Sequence, residues 1–178
     1  MTGRTTRRQR IRALQQEIWA PITAGLLMLL VGLIGLATAQ PLLFPSLGPT
    51  AFLQTEAPDQ PASRFYNVII GHAVGLAAGY AAVLLFRADA APALFAAHQL
   101  VAVRVWASVL AIVLTMFGSA LLKASHPPAA ATTLLIALGG FRPTMHDVFT
   151  IVVGVLIVAV AGEGLRRLRY EQTVEQRT

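Results

Sequence analysis

The stretch Lys123-Ala-Ser-His-Pro-Pro-Ala-Ala-Ala-Thr-Thr133 sets a cation, an imidazole and two consecutive prolines between long apolar runs. What surrounds it decides the fold. No charged residue occurs from Val105 to Leu122 before it, or from Ala124 to Phe141 once Lys123 is passed. Further uncharged windows run from Ile18 to Thr55, from Phe65 to Phe86 and from Val148 to Gly162. Crossing the hydrocarbon core takes about 20 apolar residues, with a usual range of about 17–25. The 178 residues are 56% hydrophobic and only 12% charged, and the mean hydropathy is +0.65. A soluble domain carries about a quarter charged residues. The chain reads as an integral membrane protein.

The net charge of +6 does not indicate nucleic acid as a partner. Arg4, Arg7, Arg8, Arg10 and Arg12 precede the first apolar run, and Arg166, Arg167 and Arg169 follow the last. Basic clusters flanking spans are topology signals and anchors in anionic headgroups. No base-reading motif accompanies them. The first run is longer than a signal-peptide core, and an amphipathic turn leads into it. The chain has no cysteine, so disulfides, thiolate nucleophiles and cysteine metal sites are excluded. HExxH, Gly-x-Ser-x-Gly and phosphate-loop patterns are missing, and the four histidines lack metal-ligand spacing. The expectation is a protein that is not an enzyme, with no metal and no cofactor.

Four full spans are expected, near Trp19–Gln40, Asn67–Phe86, Leu100–Leu122 and Val148–Leu165. An even number puts both termini on one side. The basic N-terminus, Arg87 with Arg104, and the basic C-terminus then share the cytoplasmic face, with Arg104 snorkelling to the headgroups or, as the alternative, held in a buried pairing. Only Arg64, Lys123 and Arg142 remain opposite. Two apolar pieces are too short to cross as helices, Ser46–Gln54 and Ser125–Leu138. They read as re-entrant or broken-helix segments. Pro49, and Pro127 or Pro128, mark helix starts, because a proline in the first turn loses no helical hydrogen bond. Gly139-Gly140 and Pro143 end the second piece. Asp147 reads as the cap of the last span, and Glu163 as a partner of Arg166 and Arg167.

The predicted class is thus all-α and polytopic, with four transmembrane helices plus two short segments, arranged as two similar halves. The basic N-terminal stretch covers 1–17, the membrane domain 18–165, with halves at 18–86 and 100–165, and the polar tail 166–178. Each half holds a span, a short Ser- and Pro-bearing piece, a polar loop and a glycine-rich span. Gly48-Pro49-Thr50-Ala51 is followed by Gly71, and His126-Pro127-Pro128-Ala129 by Gly154. Two spans per half make these parallel repeats. Interrupted hydrophobic segments at matching positions point to a binding site. Broken backbone at membrane depth exposes helix N-termini, whose free N–H groups and dipole attract anions. Lys123, Ser125 and His126 lie at one break, and Ser46 and Thr50 at the other. Asn67 and His72 bring further polar groups to a span start. The structural alternatives are a headgroup lysine, a capping serine and a tight interspan loop. A histidine titrates near neutrality, so His126 is also a candidate for proton coupling. Gly71, Gly75 and Gly79 recur every four residues, a close-packing face.

The stretch KASHPPAAATT resembles the signature of the HPP family of integral membrane proteins. Ser46-Leu-Gly-Pro-Thr-Ala-Phe-Leu53, the Pro58/Pro61 loop and Asn67-Val-Ile-Ile-Gly-His72 resemble family motifs in the expected order, over roughly 18–165. The resemblance implies a four-spanning protein and, by association of chloroplast and cyanobacterial members, nitrite transport. It marks Gly48, Pro49, Asn67, Gly71, His72, His126, Pro127 and Pro128 as motif residues. Tyr66 stands where relatives often have a basic residue. The expectation is a bacterial inner-membrane transporter or channel for a small inorganic anion, nitrite favoured. The expected partners are the lipid bilayer and a second copy in a homodimer. The alternatives are a non-transporting sensor or assembly module, and transport of another small anion or its conjugate acid.

Overall fold

The structure, a computed structural model, describes residues 7–175, with side chains from 18 to 169. The side chains of 1–17 and of the tail beyond 169 therefore lie outside the described residues. Among the described residues there are seven α-helices: α1 Arg7–Thr38, α2 Leu47–Glu56, α3 Phe65–Leu85, α4 Leu94–Ala97, α5 Ala102–Leu121, α6 Pro128–Ala137 and α7 Met145–Glu175. Four stretches are long and apolar enough to cross: Ile18–Thr38, Phe65–Leu85, Ala102–Leu121 and Met145–Arg169. They match the expected spans, and no strand occurs among the described residues.

The two short pieces are broken helices that complete crossings. Their direction follows from side-chain neighbours. Gly71 of α3 faces Ala124 and His126, Gly75 faces Ala129 and Thr133, and Gly79 faces Ile136. Helix α6 therefore runs parallel to α3, away from the end where α5 stops. Its far end meets Arg104, at the start of α5, through Ala137 and Gly139. Likewise Gly154 of α7 faces Leu42 and Phe44, and Gly162 faces Gln54, so segment 39–56 climbs parallel to α7. Each broken crossing joins a short non-helical stretch to a ten-residue helix, and that helix alone spans about 15 Å.

The chain thus passes six times between the two ends of the bundle, four times as long helices and twice as broken ones. Let face A be the side on which the 57–64 loop lies; Arg166 of α7 reaches Pro58 O there at 2.9 Å. α1 leaves A, 39–56 returns to it, and α3 leaves it again. α5 then starts from the opposite face B, 122–138 returns to B, and α7 ends at A. The second half repeats the first upside down. This corrects the parallel repeats expected from two spans per half, and it moves Arg87 and Arg104 to the face opposite the termini. Burial agrees with the inversion: α3 and α7 have 50% and 44% of their spans buried, α1 and α5 only 28% and 22%. Corresponding helices share corresponding places, two central and two peripheral.

Arg104 does not snorkel. It is 3% exposed and donates to Ala137 O at 3.0 Å, Ala91 O at 2.9 Å and Pro92 O at 3.2 Å. Its guanidinium sits at the carbonyl end of α6, where a cation is favoured. Gly139 has φ +88, and a Cβ there would meet the Arg104 guanidinium at 2.7 Å. The glycine supplies both the turn and the room. Glu163 accepts from Arg166 at 2.7 Å and Arg167 at 2.7 Å, the expected i,i+3 and i,i+4 pairs. At the start of α7 the capping hydroxyl belongs to Thr144, which accepts from Asp147 N–H at 3.2 Å, while the Asp147 carboxylate holds Arg142 N–H at 2.6 Å.

Candidate functional site

The two broken helices start near one another in the interior and run toward opposite faces. Between their first turns lies a cluster of buried polar side chains, Ser46, Thr50, His72, His126, Thr132 and Thr133, all 4% exposed or less. Thr50 is its hub. Its Oγ1 lies 3.0 Å from His72 Nε2, 3.1 Å from His126 Nε2 and 3.0 Å from Ser46 O. His72 comes from α3 and His126 from the second break, with ring centroids 5.0 Å apart. His126 Nδ1 donates to Ala62 O at 2.7 Å. His72 Nδ1 meets Thr132 Oγ1 at 2.8 Å, and the Thr132 hydroxyl donates to Ser46 Oγ at 2.7 Å. Buried polar groups need partners in so apolar a bundle, and here they lie within contact distance of one another.

Local sequence explains the positions. Pro128 is the first residue of α6, and Pro49 stands in the first turn of α2. Small residues let α6 sit against α3, since Gly75 leaves space for Ala129 O and Thr133 Oγ1. Thr133 donates to Gly75 O at 3.1 Å and pairs with Thr115 of α5 at 2.8 Å. Asn67 donates to Ser125 O at 3.0 Å, and Tyr66 O–H to Leu122 O at 2.9 Å. Both pin the descent of 122–127 to α3. Tyr66, the departure from the family pattern, thus has a structural partner.

The expected residues divide cleanly. Ser46, Thr50, His72 and His126 converge, while Asn67 and Pro128 support them from behind. Gly48 stands beside open space, and Pro49, Ser125 and Pro127 are exposed flanks of the breaks. Lys123 stands outside the cluster, exposed at the end of α5 with φ 50. Neither Ser46 nor Ser125 caps a helix with its side chain. The α6 terminus also departs from the expected anion cradle. Pro127 and Pro128 have no N–H, Ala129 N–H donates to His126 O at 2.9 Å, and Ala130 N–H to Pro127 O at 3.0 Å. What converges there is side chains and the helix dipole, not free amides. Thr132 and Thr133 were missed as site residues although they end the quoted stretch. Two adjacent threonines in an apolar helix were the available signal.

Among the described residues no group of three or more His, Asp or Glu side chains is placed to hold a metal. Gln54, one turn beyond Thr50 toward face A, is fully buried, and neither end of its amide has a partner.

The family model described as "HPP, transmembrane region" matches residues 9–173. No curated protein and no solved structure matches the chain. The chain belongs to the HPP transmembrane family and is a membrane protein.

Proposed function

We propose that the chain transports a small inorganic anion, with nitrite the favoured substrate. One observation carries this reading: two broken crossings of an inverted repeat meet at a buried cluster of hydroxyls and imidazoles. Inverted repeats with discontinuous helices meeting near the midplane are a recurring architecture of secondary transporters. Irregular backbone at that depth is tolerated where it lines a cavity or is buried in protein. No carboxylate belongs to the cluster, and both short helices turn their positive ends toward it. A small oxyanion is the guest that such a site favours. Gln54 extends the polar surface toward face A. Nitrite itself rests on the family resemblance.

The excess of basic residues on face A favours a cytoplasmic placement of both termini in a bacterial inner membrane. The cluster is enclosed within one chain, so a homodimer is not needed to complete a pathway. It is retained as a proposal, which an unchanged monomer mass in mild detergent and in lipid would remove. The non-transporting module remains the second reading, because a buried hydrogen-bond network is also a way to lock a fold.

The test is nitrite flux into proteoliposomes at mildly alkaline pH, against empty liposomes that report leak of nitrous acid. Saturable, protein-dependent flux that falls at least tenfold in Thr50→Val supports transport through the cluster. Monodisperse protein with no flux above the control, across several small anions, leaves the non-transporting module.

A further inference from the structure

The hydrogens of the cluster can be counted. Ala62 O only accepts, so His126 Nδ1 carries a proton. Thr132 gives its hydroxyl proton to Ser46 Oγ, so His72 Nδ1 must donate to Thr132 Oγ1. A neutral imidazole holds one N–H. Both Nε2 atoms are therefore bare, and both point at Thr50 Oγ1. That hydroxyl has one hydrogen for three acceptors: the two Nε2 atoms and Ser46 O. With that hydrogen on Ser46 O, as the helix geometry has it, the contact between Thr50 and each imidazole lacks a hydrogen.

We propose that His72, Thr50 and His126 form a binding site for one proton, taken up together with the transported anion. A proton delivered by hydronium, which leaves as water, bonds to one Nε2, which then donates to Thr50 Oγ1. The Thr50 hydroxyl turns from Ser46 O to donate to the other Nε2, and both imidazole contacts become hydrogen bonds. The mirror arrangement is reached when the hydroxyl passes its own proton on and accepts the first. The proton thus moves between His72 of the first half and His126 of the second without either ring moving. A second proton is opposed by like charge, with the rings 5.0 Å apart and buried. Only N–H bonds form and break, and one anion with one proton crosses with no net charge.

Nothing else in the surroundings supplies this charge. Helix α6 and the 18–38 span of α1 carry no titratable side chain. Glu56 ends α2, Asp59 lies in the 57–64 loop, Arg64 and Tyr66 stand at the start of α3, His98 follows α4 and Lys123 follows α5, all of them exposed. Glu163, paired with Arg166 and Arg167, and Arg169 lie near the face-A end of α7. Tyr80, Arg87, Asp89, Arg104, Arg142, His146 and Asp147 belong to the face-B half of the bundle. Within the cluster, the only charge the anion can meet is the one the imidazoles take up.

The inference rests on the transport reading for its purpose but not for its test. The first measurement is 15N NMR of histidine-labelled protein in lipid nanodiscs with nitrite present, titrated over the pH range of the flux assay. His72→Gln and His126→Gln assign the buried signals apart from those of His98 and His146. The expected result is two Nδ1–H tautomers at alkaline pH, then uptake of one proton shared by both Nε2 signals. Thr50→Val should uncouple the two rings. An Nε2–H tautomer at alkaline pH, two separate protonations, or a pair that stays neutral throughout would overturn the proposal. The second measurement is nitrite uptake driven by an acid-outside gradient, expected in the wild type above the empty-liposome control and lost in His72→Gln. Flux set by membrane potential and indifferent to the pH gradient overturns proton coupling while leaving anion transport. A pair that takes one proton in protein without flux leaves the proton site and overturns the transport reading.

Discussion

Gly75→Ala tests how closely α3 and the broken helix α6 approach. A Cβ at this position would lie 2.7 Å from Ala129 O and 2.8 Å from Thr133 Oγ1. Ordinary contact begins near 3.4 Å, so one helix must retreat by about 0.7 Å. The obstacle is a backbone carbonyl in the first turn of α6, not a side-chain end that can swing away. Retreat also stretches the 3.1 Å bond from Thr133 to Gly75 O and draws His126 from Thr50. Overpacking costs about 1–3 kcal/mol, and a rigid obstacle argues for the upper end. The gain from replacing a helical glycine offsets about 0.8–1 kcal/mol of it. A net loss of about 2 kcal/mol lowers the melting midpoint by about 4–8 °C for a chain of this size. Gly25→Ala is the matched control, because nothing lies within 4 Å of its Cβ. Thermal unfolding of both variants in one detergent reads the difference. Equal midpoints would refute the close packing and, with it, the placement of His126.

The six-crossing path can be read by labelling, since the chain lacks cysteine. In Asp59→Cys an impermeant thiol reagent should react from the side of the C-terminus, and in Ala96→Cys from the opposite side; four crossings require the reverse. Arg104→Met leaves three carbonyls without their cation, and about 3–5 kcal/mol of stability should be lost. Arg104→Lys should recover only part of it, because an ammonium does not reproduce the guanidinium fork; full rescue by lysine would show that charge alone matters. Lys123→Met should leave nitrite flux within about twofold of the wild type, the side chain being exposed and outside the cluster. A tenfold loss would bring Lys123 back into the pathway.

The sequence made the helices legible and the path between them illegible, for a definite reason. A continuous span declares itself by length. A broken crossing divides its length between extended chain and a ten-residue helix, so neither part reaches the threshold. Charge could not tell the two paths apart. Four crossings put Arg64, Lys123 and Arg142 opposite the termini; six put Arg87, Arg104 and Arg142 there. Either way three of the 14 basic residues stand on that face, and the positive-inside bias is the same. Lys123 misled because nearness along the chain hides a left-handed residue that turns the backbone beneath it. The prolines were rightly read as helix starts, yet they also remove the N–H groups that a free helix end would offer.

The fold is close to symmetric, but its chemistry is not. Matching Gly71 to Gly154 sets His72 against Val155, and matching the two proline motifs sets His126 against Gly48. The opposite half therefore builds the same backbone with no imidazole at either place, so the scaffold does not need one. His72→Val puts this to the test. Thr132 would still donate to Ser46 Oγ, and Thr50 would serve His126 Nε2 or Ser46 O with fewer competing acceptors. No donor is orphaned, and the surplus of acceptors shrinks. The variant should fold with a loss under about 2 kcal/mol, mainly of packing, while losing uptake driven by the pH gradient. A variant that fails to fold, or melts as far below the wild type as Arg104→Met, would make the histidine pair part of the scaffold.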